Sequence, residues 1–273
     1  MAKPILDIKT EYDKAKRILK PIFIPFNRYV SYIGRENIVK DGPNLIIANH
    51  PGIGRDIAGI LTANDRQLYF LTAHYMFDIN ESLEYIKSTL GRVLYTITHP
   101  LLYIFAKYLS RKLKNCEMIP INKSYHGDKI EFTKNIRQSI DQVKEYLLKD
   151  RAIVIFQIPL DILKTIGNQE IRFKEHSEYH SYIPKFHPTV GKILYELYQE
   201  HGLIVPVSPI SIYGAEGLNP FKRMVLNFGK PTDITSCIDN NTAGNPINNF
   251  TKFLEKKVAE LLIESGLPRI SKI

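Results

Sequence analysis

The 273-residue chain is 44% hydrophobic and 24% charged, an ordinary globular composition with length for one large α/β domain or two small ones. Its net charge of +9 is concentrated at the front: residues 1–125 hold 18 Lys+Arg against 11 Asp+Glu, the remainder 19 against 17. That surplus suits an anionic partner, nucleic acid or a membrane surface, while Cys116 and Cys237 lack any metal or redox spacing and read as plain thiols of a reducing compartment.

Lys3, Asp7, Lys9 and Glu11 break up the N-terminus, so no signal peptide is expected. Residues 10–33 read as an amphipathic helical segment divided at Pro21 and Pro25, with Lys14, Lys16, Arg17 and Lys20 among apolar and aromatic residues. Such a segment either lies in a membrane interface or packs on the core; it has no apolar run long enough to span.

The apolar run Leu45–Ala48 reads as a buried strand that ends abruptly at Asn49-His50, before a turn that contains Pro51, Gly52 and Gly54. Helical spacing of Ile57, Ile60 and Leu61 places Asp56 near a helix start, where a carboxylate is favoured. A turn of this kind can bring Asp56 to His50, fix the ring tautomer and leave the other ring nitrogen as a general base. The alternative is a βα loop with a solvated histidine and a capping aspartate.

A second strand is expected at 67–72. Residues 92–114 form another apolar, aromatic and basic stretch, interrupted by Pro100, which suits either the headgroup zone of a membrane or a buried helix pair. No RNA-binding aromatic signature or zinc-finger spacing supports nucleic acid. Further on, the pattern predicts a strand over 117–123 that ends in a cation, a helix over 128–149, a strand over 152–156 and a less regular stretch over 157–187. A helix near 189–200, strands at 203–207 and 224–228, and a C-terminal helix follow. Strands alternating with helices imply an α/β fold: a single domain over 36–273 with a mostly parallel mixed central sheet flanked by helices, preceded by the amphipathic segment 1–35. His176 and His180 have an i,i+4 spacing that binds zinc from a helix, but no third ligand is evident and no metal is expected. Ser208 and Ser211 lack a nucleophile-elbow context.

The order of these pieces resembles the glycerolipid acyltransferase superfamily over roughly residues 40–235. Ile47-Ala48-Asn49-His50 with Asp56 is similar to the family's Asn-His…Asp block. Tyr69-Phe70-Leu71-Thr72, Ile119-Pro120-Ile121-Asn122-Lys123, Ile153-Val154-Ile155-Phe156, Ile204-Val205-Pro206-Val207 and Asn227-Phe228-Gly229-Lys230-Pro231 follow in the family's order. The resemblance implies an O-acyltransferase in which His50, held by Asp56, takes a proton from an acceptor hydroxyl that attacks an acyl thioester. Backbone N–H groups near the glycine turn would stabilise the oxyanion.

The donor implied is acyl-coenzyme A or acyl carrier protein, used as substrate; no cofactor is implied. The acceptor implied is a lysolipid or glycerol-phosphate-like hydroxyl, met at an anionic membrane surface by a protein peripheral on the cytoplasmic face. Asn49, Gly52, Gly54, Arg55, Lys123 and Pro206 are the residues the resemblance assigns to substrate.

Three departures stand out. Five residues rather than four separate His50 from Asp56. Lys123 replaces an arginine, exchanging a bidentate fork for a point charge. Phe156-Gln157-Ile158-Pro159 replaces Phe-Pro-Glu-Gly, so the family's acceptor-contacting glutamate has no counterpart. A non-catalytic lipid-binding relative and a hydrolase or transacylase on the same scaffold are therefore the alternatives.

Overall fold

The computed structural model describes residues 9–14, 16–17, 29–51, 55–90, 92–121, 129–157, 161–166, 169–174, 176–216, 221–238 and 245–266. Seven strands form one sheet: β1 (Val30–Ile33), β2 (Asn44–Asn49), β3 (Leu68–Ala73), β4 (Ile119–Ile121), β5 (Ala152–Gln157), β8 (Val207–Tyr213) and β9 (Met224–Phe228). Their order is β1-β9-β8-β2-β5-β3-β4, and β8–β9 is the antiparallel pair. The other five pairings are parallel. Strands β6 (Asp161–Ile166) and β7 (Gln169–Lys174) form a separate antiparallel hairpin. The helices are α1 (Arg55–Ala63), α2 (Ile79–Leu90), α3 (Arg92–Asn115), α4 (Lys129–Leu148), α5 (Thr189–His201), α6 (Thr235–Ile238) and α7 (Pro246–Glu264).

Strand β2 lies at the centre and is buried throughout, as a parallel strand covered on both faces must be. Its side chains alternate between two cores. Leu45 and Ile47 face Leu147 of α4, Leu194 of α5 and Phe250 of α7, while Ile46 and Ala48 share the opposite core with Ile60 of α1. Helix α1 approaches β9 closely because residue 59 is glycine: a Cβ there would lie 3.0 Å from Leu226 Cδ1 and Met224 Cε. This contact seats the first turn of α1, and with it Asp56, against the sheet.

Several expected elements take other forms. Residues 9–14 and 16–17 are helical, but Val30–Ile33, inside the segment read as helix, is an edge strand paired with β9. Its β-branched and aromatic residues suit that role. The expected strand at 203–207 begins instead at Val207 and runs to Tyr213. Pro209 obscured it, yet is tolerated between the Val207–Thr232 bridge and the Ile210–Phe228 start of the β8–β9 ladder, where no regular bond is interrupted. The stretch 157–187, expected to be irregular, contains the β6–β7 hairpin. Part of its signal was present: Gly167-Asn168 precedes the alternating run Glu170-Ile171-Arg172-Phe173-Lys174 in the sequence.

Candidate active site

The strands β8, β2, β5, β3 and β4 point the same way, so their carboxyl ends gather on one edge. That edge is where an open α/β sheet exposes functional groups. His50 follows the last residue of β2 there, and Asp56 is the second residue of α1. His50 Nδ1 and Asp56 Oδ2 lie 2.5 Å apart. Asp56 is completely buried, whereas the His50 side chain keeps 22% of its exposure. The other carboxylate oxygen accepts from the Ile57 N–H at 2.9 Å. A carboxylate so enclosed fixes the imidazole with Nδ1–H donating. His50 Nε2 then carries the free lone pair, with no hydrogen-bond partner among the described residues.

The ring is held from a second side. Phe156, near the end of β5, stacks on His50 at 4.6 Å between centroids and 26° between planes, and on Phe70 of β3 at 6.2 Å. Sequence reading treated Phe156 only as part of a strand. Its position follows from register, which sets Ala48 beside Phe156 and Asn49 beside Gln157.

Asn49 has a different task from substrate contact. It is buried, and its amide bonds both backbone groups of Ile212, donating to the carbonyl and accepting from the N–H, each at 2.8 Å. It locks the end of β2 to β8 immediately before His50. Arg55 is likewise engaged: Nη1 donates to Gly214 O at 3.1 Å and Nη2 to Lys222 O at 2.6 Å. It ties the start of α1 to the connection after β8. Gly214 has φ +77°, and a Cβ there would run into the Arg223 carbonyl oxygen, so glycine is required at this clasp.

Pro206 is not brought to the site. Leu45 pairs with Val207, which puts Pro206 level with Asn44 at the amino ends of the strands, about 20 Å from His50 at ~3.3 Å per residue. Gly52, Gly54 and Lys123 lie outside the described residues, as does the glycine turn as an oxyanion site.

The remaining histidines divide. His74 follows β3 on the same edge and meets Glu81 at 3.6 Å with both side chains half-exposed. His187 is brought toward β5 by its backbone N–H, which donates to Gln157 Oε1 at 3.1 Å, and desolvation lowers its imidazole pKa. Gln157, one position before the place where the resemblance would put a glutamate, is buried and holds the 187 segment in place. His176 lies in an isolated bridge and His180 in irregular backbone rather than in a helix, so their spacing does not put them on one helical face. Among the described residues no group of three or more His, Cys, Asp or Glu is placed to hold a metal ion.

No model of a protein family matches the sequence, and no curated protein matches it. Among solved structures, the 1-acyl-sn-glycerophosphate (LPA) acyltransferase PlsC from Thermotoga maritima is similar to this chain with a TM-score of 0.48 and 16% identity. The alignment covers 95% of this chain and 84% of that one. The likeness is distant.

Proposed function

We propose that the protein is an O-acyltransferase that moves a fatty acyl group from an acyl thioester, of coenzyme A or acyl carrier protein, to a hydroxyl of a lysoglycerolipid or related acceptor. The observation that carries this reading is the 2.5 Å bond between His50 Nδ1 and the buried Asp56 at the carboxyl end of β2. His50 Nε2 takes the hydroxyl proton as the oxygen attacks the thioester carbonyl. The tetrahedral oxyanion collapses with cleavage of the C–S bond, and the imidazolium returns its proton to the departing thiolate. Asp56 stabilises the imidazolium throughout. Lys123, two positions beyond β4 in the sequence, supplies a cation for an acceptor phosphate, and backbone N–H groups of the Gly52–Gly54 turn serve the oxyanion. The acceptor's chemistry puts this work at an anionic membrane surface, with the protein peripheral on the cytoplasmic face. Among the described residues no helix is long and apolar enough to cross a membrane.

Ile158, which stands in the sequence where the resemblance would put the acceptor-contacting glutamate, favours a second reading: lipid binding without turnover. Labelled acyl thioesters incubated with purified protein and a panel of lysolipids separate the two. Label appearing in diacyl lipid supports transfer. Bound acyl thioester without product supports binding alone. Free fatty acid as the main product points to a hydrolase and overturns the transferase assignment.

A further inference from the structure

Helix α3 has two apolar faces where a surface helix has one. The inner face includes Ala106 and Ser110, both buried, with Ser110 Oγ donating to Phe77 O at 2.6 Å. On the opposite side Leu101, Ile104, Phe105 and Tyr108 recur at i, i+3, i+4 and i+7. They are 73%, 64%, 55% and 36% exposed. Aliphatic and aromatic groups at that spacing form one continuous stripe. A stripe of this kind turned to water marks an interaction surface.

The charges beside the stripe select the partner. The 24 residues of α3 carry Arg92, Lys107, Arg111, Lys112 and Lys114 and no carboxylate. Lys107, Arg111 and Lys114 line one flank of the stripe at i, i+4 and i+7; each is exposed and makes no ion pair among the described residues. Lys112 differs, meeting Glu11 at 2.8 Å. We propose that the outer face of α3 docks on an anionic lipid bilayer. Leu101, Ile104 and Phe105 enter the acyl boundary, Tyr108 rests at the headgroup level, and Lys107, Arg111 and Lys114 meet lipid phosphates. The helix lies in the interface rather than across it.

The fold gives this docking a direction. The turn His74–Phe77 follows β3 directly at the carboxyl edge of the sheet, and the Ser110–Phe77 bond ties α3 to it. The docking helix is therefore rooted on the edge that carries His50. The inference deepens the lipid-acceptor reading and rests on it for its purpose, whereas the docking itself needs no chemistry.

The test is co-flotation of the full chain with vesicles of phosphatidylcholine alone and of phosphatidylcholine mixed with phosphatidylglycerol. The comparison includes a Leu101→Ser/Ile104→Ser/Phe105→Ser variant and a Lys107→Ala/Arg111→Ala/Lys114→Ala variant. All six positions are exposed, and far-UV circular dichroism confirms that each variant keeps its helices. The expected result is binding to the mixed vesicles about tenfold tighter than to the neutral ones, weakening as salt rises. The apolar variant loses about tenfold or more on both vesicles, and the basic variant loses the preference for phosphatidylglycerol. Wild-type protein that stays unbound, or variants that bind as wild type, overturns the proposal. Self-association through Leu101 and Phe105 without vesicle binding also overturns it, by assigning the face to a second copy. Acyl transfer to a short-chain soluble acceptor is followed in parallel. Transfer that survives a failure of docking rejects the surface and leaves the chemistry standing; docking without transfer does the reverse.

Discussion

Phe156 covers one face of the His50 imidazole, with 4.6 Å between ring centroids and 26° between their planes. The contact restrains the ring about the bond that would otherwise let it swing away from Asp56. Phe156→Leu keeps the apolar volume but removes the stacking. Since such pairs are worth about 0.5–1.5 kcal/mol, acyl transfer should fall roughly two- to tenfold in kcat. The shape of the pH–rate profile should be preserved, because the proton-accepting group is the same. Steady-state rates across pH would reveal it.

His50→Ala should lower transfer by about a hundredfold or more, the usual contribution of a positioned general base. It should also lower the thermal midpoint, because the fully buried Asp56 carboxylate loses its imidazole partner. Asp56→Asn should cost a comparable rate by removing the charge that stabilises the imidazolium. Ample transfer by a folded His50→Ala protein would sink the mechanism.

Asn49→Ala strands two buried backbone groups, the N–H and carbonyl of Ile212. At about 1–3 kcal/mol for each unsatisfied group, denaturant unfolding should show a loss of roughly 2–6 kcal/mol. Substrate KM should change less than kcat, because Asn49 sets the position of His50 without touching substrate. A loss of acceptor affinity alone would return Asn49 to the binding surface.

Lys123→Ala should lower kcat/KM for a phosphorylated acceptor roughly ten- to a hundredfold, as a charge-assisted contact of about 1.5–3 kcal/mol implies. Dephosphorylating the acceptor should reproduce the defect. Equal rates on both acceptors, unchanged by the substitution, would assign the protein an uncharged acceptor.

Glu11 joins the N-terminal helical residues to α3, meeting Lys112 at 2.8 Å and Lys14 at 3.1 Å. The hydrogen bond from Lys112, then that from Lys14, hold its carboxyl from the ordinary 4.5 down to about 2. A depressed folded-state value means the stabilisation is full above the ordinary carboxylate range and disappears as pH falls through about 2. The difference in melting temperature between wild type and Glu11→Gln should therefore be present at neutral pH, shrink below about pH 4.5 and vanish near pH 2. High salt should narrow it at every pH. A difference that grows on acidification would contradict the bridge.

Much of this architecture is written in local patterns. The apolar run at 45–48, the strand at 152–157 and the helix at 129–148 announce themselves because periodicity and burial agree. The His50–Asp56 meeting was legible as a possibility, since a strand end, glycines and a helix start limit where the two side chains can go. Phe156 over His50 was not, because it depends on which strand lies beside β2. Arg55 and Asn49 misled for a similar reason. A polar residue next to His50 looks like a substrate contact until the backbone carbonyls of Ile212, Gly214 and Lys222, some 160 positions away, are found to occupy it. Pro206 was misplaced by one end of the sheet, since a sequence shows that a strand exists but not where its reactive end lies.

The clasp between Asn49 and Ile212 reaches across 163 positions. During synthesis β2 emerges early, yet the strands that flank it begin only at residues 152 and 207. A growing polypeptide must keep Leu45–Ala48 from sticking elsewhere until most of its length exists, the loop-closure burden that slows folds rich in distant pairings. His50 thus acquires its geometry at the end of folding. Half-made chains, and fragments stopping before Val207, carry His50 and Asp56 without the β8 partner that sets their seat.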